Sequence, residues 1–197
     1  ELKLISCHLG NGSSVTAVDG GKSVDTSMGF TPLAGLPMGT RAGDLDAGIL
    51  QYLMNKYNMN IDEMLNILNK KSGMEGISGV SSDFRDLEEG AEKGNERCAL
   101  AREKFAYEVK KLIGAYAAVM GGVDAIIFTA GVGENDALER MQIASGLEYM
   151  GVKMDEDANN VRGEERVISA TDSKVKVLLI PTNEELMIAM DTASLVG

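Results

Sequence analysis

The chain opens on alternating apolar and polar positions. "ELKLISCHL" alternates at first, "SSVTAV" follows after Gly10-Asn11-Gly12, and "KSVDTSM" follows after Asp19-Gly20-Gly21. Period-two patterning interrupted by Asn-Gly and Asp-Gly predicts three strands joined by tight hairpins, because such turns need positive φ. Residues 1–28 therefore read as a β-meander. The stretch "GFTPLAGLPMGTRAGD" (29–44) is too broken by glycine and proline for helix or strand, and too apolar for a disordered linker. Periodicity then turns helical over 44–56 and 61–71, where Asp62 caps or charges the second helix. Residues 72–90 read as a loop with short ordered pieces.

The strongest helix signal covers 95–120. Ala99, Phe105, Val109, Leu112, Ile113, Tyr116 and Met120 form one stripe at helical spacing, and Gly121-Gly122 stop it. "VDAIIFT" (123–129) reads as a buried strand, and "AGVGEND" turns it into a helix near 136–149. "VKM" and "ERVIS" are short strand candidates. "VKVLLIPT" (175–182) is a second buried strand and "NEELMIAMDTASLV" a closing helix. The order is βββ, then alternating α and β: an α/β layered domain with a mixed sheet and flanking helices.

Composition narrows the function classes. A length of 197 residues fits one domain or a large half of something bigger. The net charge of −11 argues against nucleic acid, whose phosphates select basic surfaces. A small anion stays open, because backbone N–H groups and one or two cations make a local site. Cys7 and Cys98 show no metal-ligand spacing and point to a reducing, cytoplasmic setting. No apolar run reaches transmembrane length, no signal-peptide pattern is present, and no membrane role is expected. A start inside a strand-like pattern, without an initiator Met, reads as a piece of a longer polypeptide.

Several short motifs each carry two readings. In "HLGNGSS", glycines let a backbone approach a phosphate while Asn and Ser add donors; taken alone, Asn11-Gly12 is a type I′ turn. In "FTAGVGEND", a buried strand runs into Gly131-x-Gly133 and a helix opens just after, putting a helix start over the strand's end. A dinucleotide fingerprint would need a third glycine at 136, where Asp136 stands. "GGKS" (20–23) ends like a phosphate-binding loop, but position 16 is Thr and no helix follows, so it is hairpin chemistry.

Arg41 in "MGTRAGDLD" either stabilises transferring phosphoryl charge from a flexible, glycine-flanked loop or pairs with Asp44. In "PTNEEL", Thr182 and Glu185 have capping-box spacing, which leaves Glu184 as a spare carboxylate able to hold Mg²⁺. In "SSDFRDL", Asp83, Phe84 and Arg85 suit a ribose, a base and a phosphate, or form a helix start capped by Ser82 or Asp83. Together, a glycine hairpin between strands, a second glycine turn between strand and helix, and βββαβα order make the layout of the ribonuclease-H-like, actin-like ATPase fold.

"CHLGNGSSVTAV", "GKSVDTSMGFTPLAGLPMGTRAGDLD", "FTAGVGEND" and "PTNEELMIA" closely resemble the acetate kinase family, from about residue 5 to about 190. The likeness is to the C-terminal domain of that family. It implies that 1–197 is a single nucleotide-binding domain, the C-terminal half of a two-domain kinase whose N-terminal domain, with the acceptor-carboxylate pocket, is absent here. The implied reaction is Mg²⁺- or Mn²⁺-dependent phosphoryl transfer between ATP and acetate, giving acetyl phosphate and ADP. The resemblance implies that His8, Leu9, Gly10, Asn11 and Gly12 line the triphosphate, with His8 touching phosphate. Asp83, Phe84 and Arg85 would contact the nucleoside, and Gly131, Val132, Gly133, Glu134 and Asn135 the adenine side and α-phosphate. Arg41 would stabilise the transition state and Glu184 ligate the metal. A homodimer through this domain is implied too, with the closing helix and the 95–120 helix as candidate surfaces. A propionate kinase, or another short-chain carboxylate kinase, is the nearest alternative. A non-catalytic actin-like switch or dimerisation module is the rival from another class, and Arg41 with Glu184 favours an enzyme over it.

Overall fold

The alternation at the start folds as three antiparallel strands, β1 (Lys3–Leu9), β2 (Ser13–Asp19) and β3 (Lys22–Thr26). Ile5, Cys7 and Leu9 of β1 and Val15 and Ala17 of β2 point into the core, as a period of two requires. The two hairpins differ. Gly20 and Gly21 both have positive φ, the two-residue turn expected between Asp19 and Lys22. None of Gly10, Asn11 and Gly12 has positive φ, so the expected type I′ turn does not form. A three-residue connection is closed instead by Ser13, whose buried Oγ accepts from the Gly10 N–H (3.1 Å) and donates to its carbonyl (2.8 Å).

The computed structural model describes residues 1–196. Past the glycine–proline stretch come α1 (Gly48–Tyr57) and α2 (Ile61–Lys70). Asn60, rather than Asp62, caps α2 in a reciprocal capping box with Glu63, and Asp62 charges its first turn. The expected loop at 72–90 is mostly helix: α3 (Gly73–Ser78) and α4 (Phe84–Glu92), the latter capped by Asp83. The long helix α5 (Glu96–Met120) starts at an Asn95 cap and stops at Gly121, φ 68°. Its stripe holds Phe105, Val109, Ile113, Tyr116 and Met120, but begins at Cys98, Ala101 and Arg102; Ala99 faces solvent. Phe105 meets Phe84 of α4 edge-to-face at 4.7 Å.

Strand β4 (Ala125–Thr129) leads into α6 (Ala130–Asn135) and α7 (Ala137–Ala144): the segment expected as a turn is itself a short helix, hinged at Asp136 to α7, and the helix expected near 136–149 already stops at Ala144. A 3-10 turn (Glu148–Met150), α8 (Glu156–Asn159), β5 (Arg166–Val167), β6 (Lys176–Leu179) and α9 (Glu184–Val196) complete the chain. The "VKM" segment makes only isolated bridges, Val152 to Val175 and Met154 to Ser169.

One six-stranded mixed sheet results, in the order β3-β2-β1-β4-β6-β5. Strands β1, β4 and β6 are parallel neighbours, so their carboxyl ends, at Leu9, Thr129 and Leu179, lie along one edge. Ligands of open α/β sheets bind at that kind of edge. No helix among the described residues is long and apolar enough to cross a membrane. Cys7 and Cys98 are free and buried, and burial pushes the Cys7 thiol far up.

Candidate active site

The two glycine segments meet at the carboxyl edge. A Cβ on Gly10 would lie 3.8 Å from Ala130 Cβ and 3.9 Å from the Gly131 amide nitrogen. The helix after β4 begins at once: Ala130, at φ 64°, makes the turn, and both Gly131 and Gly133 lie inside α6. A non-glycine residue in the left-handed region is strained, and the surroundings must hold it. Thr182 does so: its Oγ1 accepts from the Ala130 N–H at 3.1 Å and lies 2.7 Å from Thr129 Oγ1. The Thr182 N–H donates to Glu134 Oε1 at 2.9 Å, fastening the segment before α9 to α6. The expected Thr182–Glu185 capping box is therefore absent. Asn183 stands in for it, its Oδ1 accepting from the Leu186 N–H at 3.2 Å. Glu184 is exposed in the first turn of α9, and among the described residues no hydrogen bond engages its carboxylate.

A cavity of about 600 Å³ opens between α4 and α6. Of the residues singled out in the sequence, it gathers Gly10, Asn11, Asp83, Phe84, Arg85, Gly131, Val132 and Asn135. Gly131 has open space where a Cβ would be, whereas Gly133 is buried 3.4 Å from the Phe128 carbonyl carbon by the same measure. Leu9 puts its side chain in the core, and Phe84, 6% exposed, shows the cavity little more than an edge. His8 sits half-buried on β1, opposite Ser14 and Thr129. Arg85 forks onto the Asp83 carboxylate (Nε–Oδ1 3.1 Å, Nη2–Oδ2 2.6 Å) and holds it below the usual carboxylate range.

The cavity also takes in Ser82, Glu88, Asp136 and Arg162, none of which the sequence reading assigned to a site. Two of these had signals. Glu88 is four residues after Phe84 on α4, hence on the same face. Asp136 stands three before Glu139, the spacing of a helix start, and its carboxylate does accept from the Glu139 N–H at 2.8 Å. Among the described residues no three His, Cys, Asp or Glu side chains converge as metal ligands. A cation held by one carboxylate and nucleotide phosphates needs no such cluster.

Arg41 approaches from the other side. Its Nη1 lies 3.4 Å from where a Gly12 Cβ would be, and donates to the Pro32 carbonyl at 3.2 Å. Two details of its surroundings differ from the sequence reading. Asp44 does not pair with Arg41; its Oδ1 accepts from the Gly35 N–H at 2.8 Å. The loop is also pinned rather than flexible. Met74 and Glu75, at the start of α3, donate their N–H groups to the carbonyls of Met38 (2.8 Å) and Gly39 (2.9 Å), Ser72 donates to Thr40 (2.9 Å), and Ala42 to Leu68 (2.8 Å). Gly39 in turn donates to the Asn11 carbonyl at 3.1 Å, joining this loop to the β1–β2 turn.

Gly73 is the point where α3 presses closest to the loop. Its φ is +60°, and a Cβ there would stand 2.0 Å from the Met38 carbonyl oxygen and 2.6 Å from that of Arg41. Gly73→Ala is expected to cost about 2–4 kcal/mol, from left-handed strain plus overpacking against backbone. Urea unfolding monitored by circular dichroism checks it; a midpoint equal to wild type would mean that the Arg41 loop is not locked there.

The acetokinase family model matches residues 1–190. The acetate kinase of Dictyoglomus turgidum is 64% identical over 197 residues, which are 100% of this chain and 49% of that one. The crystal structure of Porphyromonas gingivalis acetate kinase superposes with a TM-score of 0.97 at 47% identity, covering 100% of this chain and 49% of that chain. That of a propionate kinase from Francisella tularensis superposes with a TM-score of 0.89 at 43% identity, covering 96% and 48%. The chain spans about half the length of the curated relatives it matches.

Proposed function

The chain belongs to the acetokinase family, and from that premise we propose that it is the nucleotide-binding C-terminal half of a two-domain kinase moving a phosphoryl group between ATP and acetate. The observation carrying this reading is the close approach of Gly10 to Ala130 and Gly131, with room for little more than a Cβ between them, at the carboxyl edge of β1, β4 and β6, with the cavity beside it. A triphosphate lies along Gly10–Gly12 with His8 at its side. The nucleoside enters the cavity between Asp83–Arg85 and Gly131–Asn135. An acetate oxygen attacks the γ-phosphorus, the bond to the β-phosphate oxygen breaks, and ADP leaves with that electron pair. The phosphoryl in flight spreads negative charge over its equatorial oxygens, so positioning and fixed positive charge do most of the work.

Arg41 supplies that charge from a preset loop. Mg²⁺ or Mn²⁺, when bound, neutralises phosphate charge, and Glu184 is the free carboxylate suited to hold it. The protein works as a homodimer in the cytoplasm, feeding acetyl phosphate toward acetyl-CoA. Propionate is the second acceptor to consider, because the chain is similar to a propionate kinase over 96% of its length.

Trapping of the acyl phosphate by hydroxylamine tests the reaction. The full-length protein with ATP, Mg²⁺ and acetate is expected to yield acetyl hydroxamate, with kcat/KM for acetate above that for propionate. No product from either acid would sink the kinase reading, and a preference for propionate would reassign the acceptor. Glu184→Ala is expected to raise the half-saturating Mg²⁺ concentration at least about 10-fold at fixed ATP, as loss of one metal ligand should. An unaltered Mg²⁺ titration would return Glu184 to charging the start of α9.

A further inference from the structure

Arg102 interrupts the apolar stripe of α5 and is 4% exposed. Three carboxylates surround its guanidinium. Nη2 donates to both oxygens of Asp136 (2.9 and 3.1 Å), Nε donates to Glu139 Oε2 (3.1 Å), and Nη1 lies 3.8 Å from Glu88 Oε2. Glu88 belongs to the α4 wall of the cavity, and Asp136 is the hinge between α6 and α7 on the opposite wall. Glu139 lies behind them, fully buried, with its Oε1 unpartnered among the described residues. One buried cation is thus in reach of both walls of the same cavity.

We propose that Arg102 is a positioning residue for the nucleoside: it ties Asp136 to α5, draws Glu88 toward the same point, and sets the shape and charge of the cavity without touching the ligand. Packing alone does not ask for this arrangement. A buried ion pair is often replaceable by apolar side chains at no loss of stability, and the rest of the α5 stripe is apolar. Uncompensated, Glu88 and Asp136 would set two negative charges on the walls of a cavity meant for a phosphate-bearing ligand. The inference rests on the reading that a nucleoside occupies this cavity.

Adenosine and inorganic tripolyphosphate separate the possibilities, because one probes only the cavity and the other only the phosphate turn. Both are titrated calorimetrically into the full-length protein at constant Mg²⁺. Arg102→Lys keeps the charge and loses the fork; the double variant Arg102→Met with Glu139→Leu replaces the pair by an apolar contact that can fold. In both, the adenosine Kd is expected to rise about 10–100-fold, as for loss of a group that orients binding residues, while the tripolyphosphate Kd stays within about twofold. Wild-type adenosine affinity in the double variant would overturn the proposal and make Arg102 a packing residue. Equal loss of both ligands would also overturn it, marking a general loss of structure. Adenosine failing to bind the wild-type protein would overturn the nucleoside reading itself, and the proposal with it.

Discussion

Arg41→Ala is expected to lower kcat by about 10²–10³ with ATP KM nearly unchanged, the signature of an interaction made only in the transition state. The expectation rests on where the charge is held. Among the described residues Arg41 has no carboxylate partner; its guanidinium hydrogen-bonds only to the Pro32 carbonyl and the Met38 sulfur. Its positive charge is therefore left for a ligand, beside Gly12 and the turn proposed to carry the triphosphate. The loop that presents it is fixed by four backbone hydrogen bonds to α2, α3 and the residue before α3, so little reorganisation is needed as charge develops. Removing the side chain forfeits an exposed hydrogen bond to the Pro32 carbonyl and a part-buried one to the weakly accepting Met38 sulfur, so the melting temperature is expected to stay close to wild type. Arg41→Lys should recover part of kcat, because an ammonium keeps the charge but not the two-pronged geometry. Steady-state kinetics of the full-length protein decide it: unchanged kcat in Arg41→Ala would remove Arg41 from the chemistry.

The parts of this fold written in local code were readable in the sequence. The Gly20-Gly21 hairpin, the α5 stripe and its Gly121 stop, and the two buried strands depend on neighbours in sequence. What escaped depends on neighbours in space. Gly10-Asn11-Gly12 spells a two-residue turn, but Ser13 captures Gly10 with its hydroxyl and imposes a three-residue connection. Residues 72–90 look broken because of their glycines, yet α3 forms because its first amides find the carbonyls of Met38 and Gly39. Ala130 carries no sign of a left-handed conformation; Thr182, 52 residues on, accounts for it.

The candidate site divides the same way. Its two glycine segments were legible as wording, and their contact follows from β1 and β4 being parallel neighbours. Glu88 and Asp136 carried only helix-spacing signals, which do not point to a cavity, and Arg102 carried none, because an arginine among apolar residues reads locally as an error in the stripe. Only the packing of α4 and α7 against α5 gives it three partners.

Arg140→Met is expected to cost about 3–5 kcal/mol in unfolding free energy, the range for uncovering buried polar groups by deleting one partner. Arg140 is wholly buried, and its guanidinium is held by four acceptors rather than by a carboxylate. Nε donates to Asn159 Oδ1 at 2.8 Å, Nη1 to the Gly133 carbonyl at 2.9 Å, and Nη2 to the carbonyls of Asn159 (2.6 Å) and Val161 (2.9 Å). Methionine matches much of the volume but donates nothing, so four oxygens would remain without that donor, three of them in buried pairs. Desolvation already presses the Arg140 pKa down to about 10, which leaves it cationic at neutral pH. Because Gly133 lies in α6, the same residue links the segment at Val161 to the helix forming one cavity wall. The variant should therefore lose adenosine and tripolyphosphate binding together, unlike the Arg102 variants. Urea midpoints and the two titrations, run side by side, test this. An unfolding free energy within about 1 kcal/mol of wild type would mean that the α8 region relaxes to satisfy its own carbonyls, and that Arg140 does not hold α6 in place.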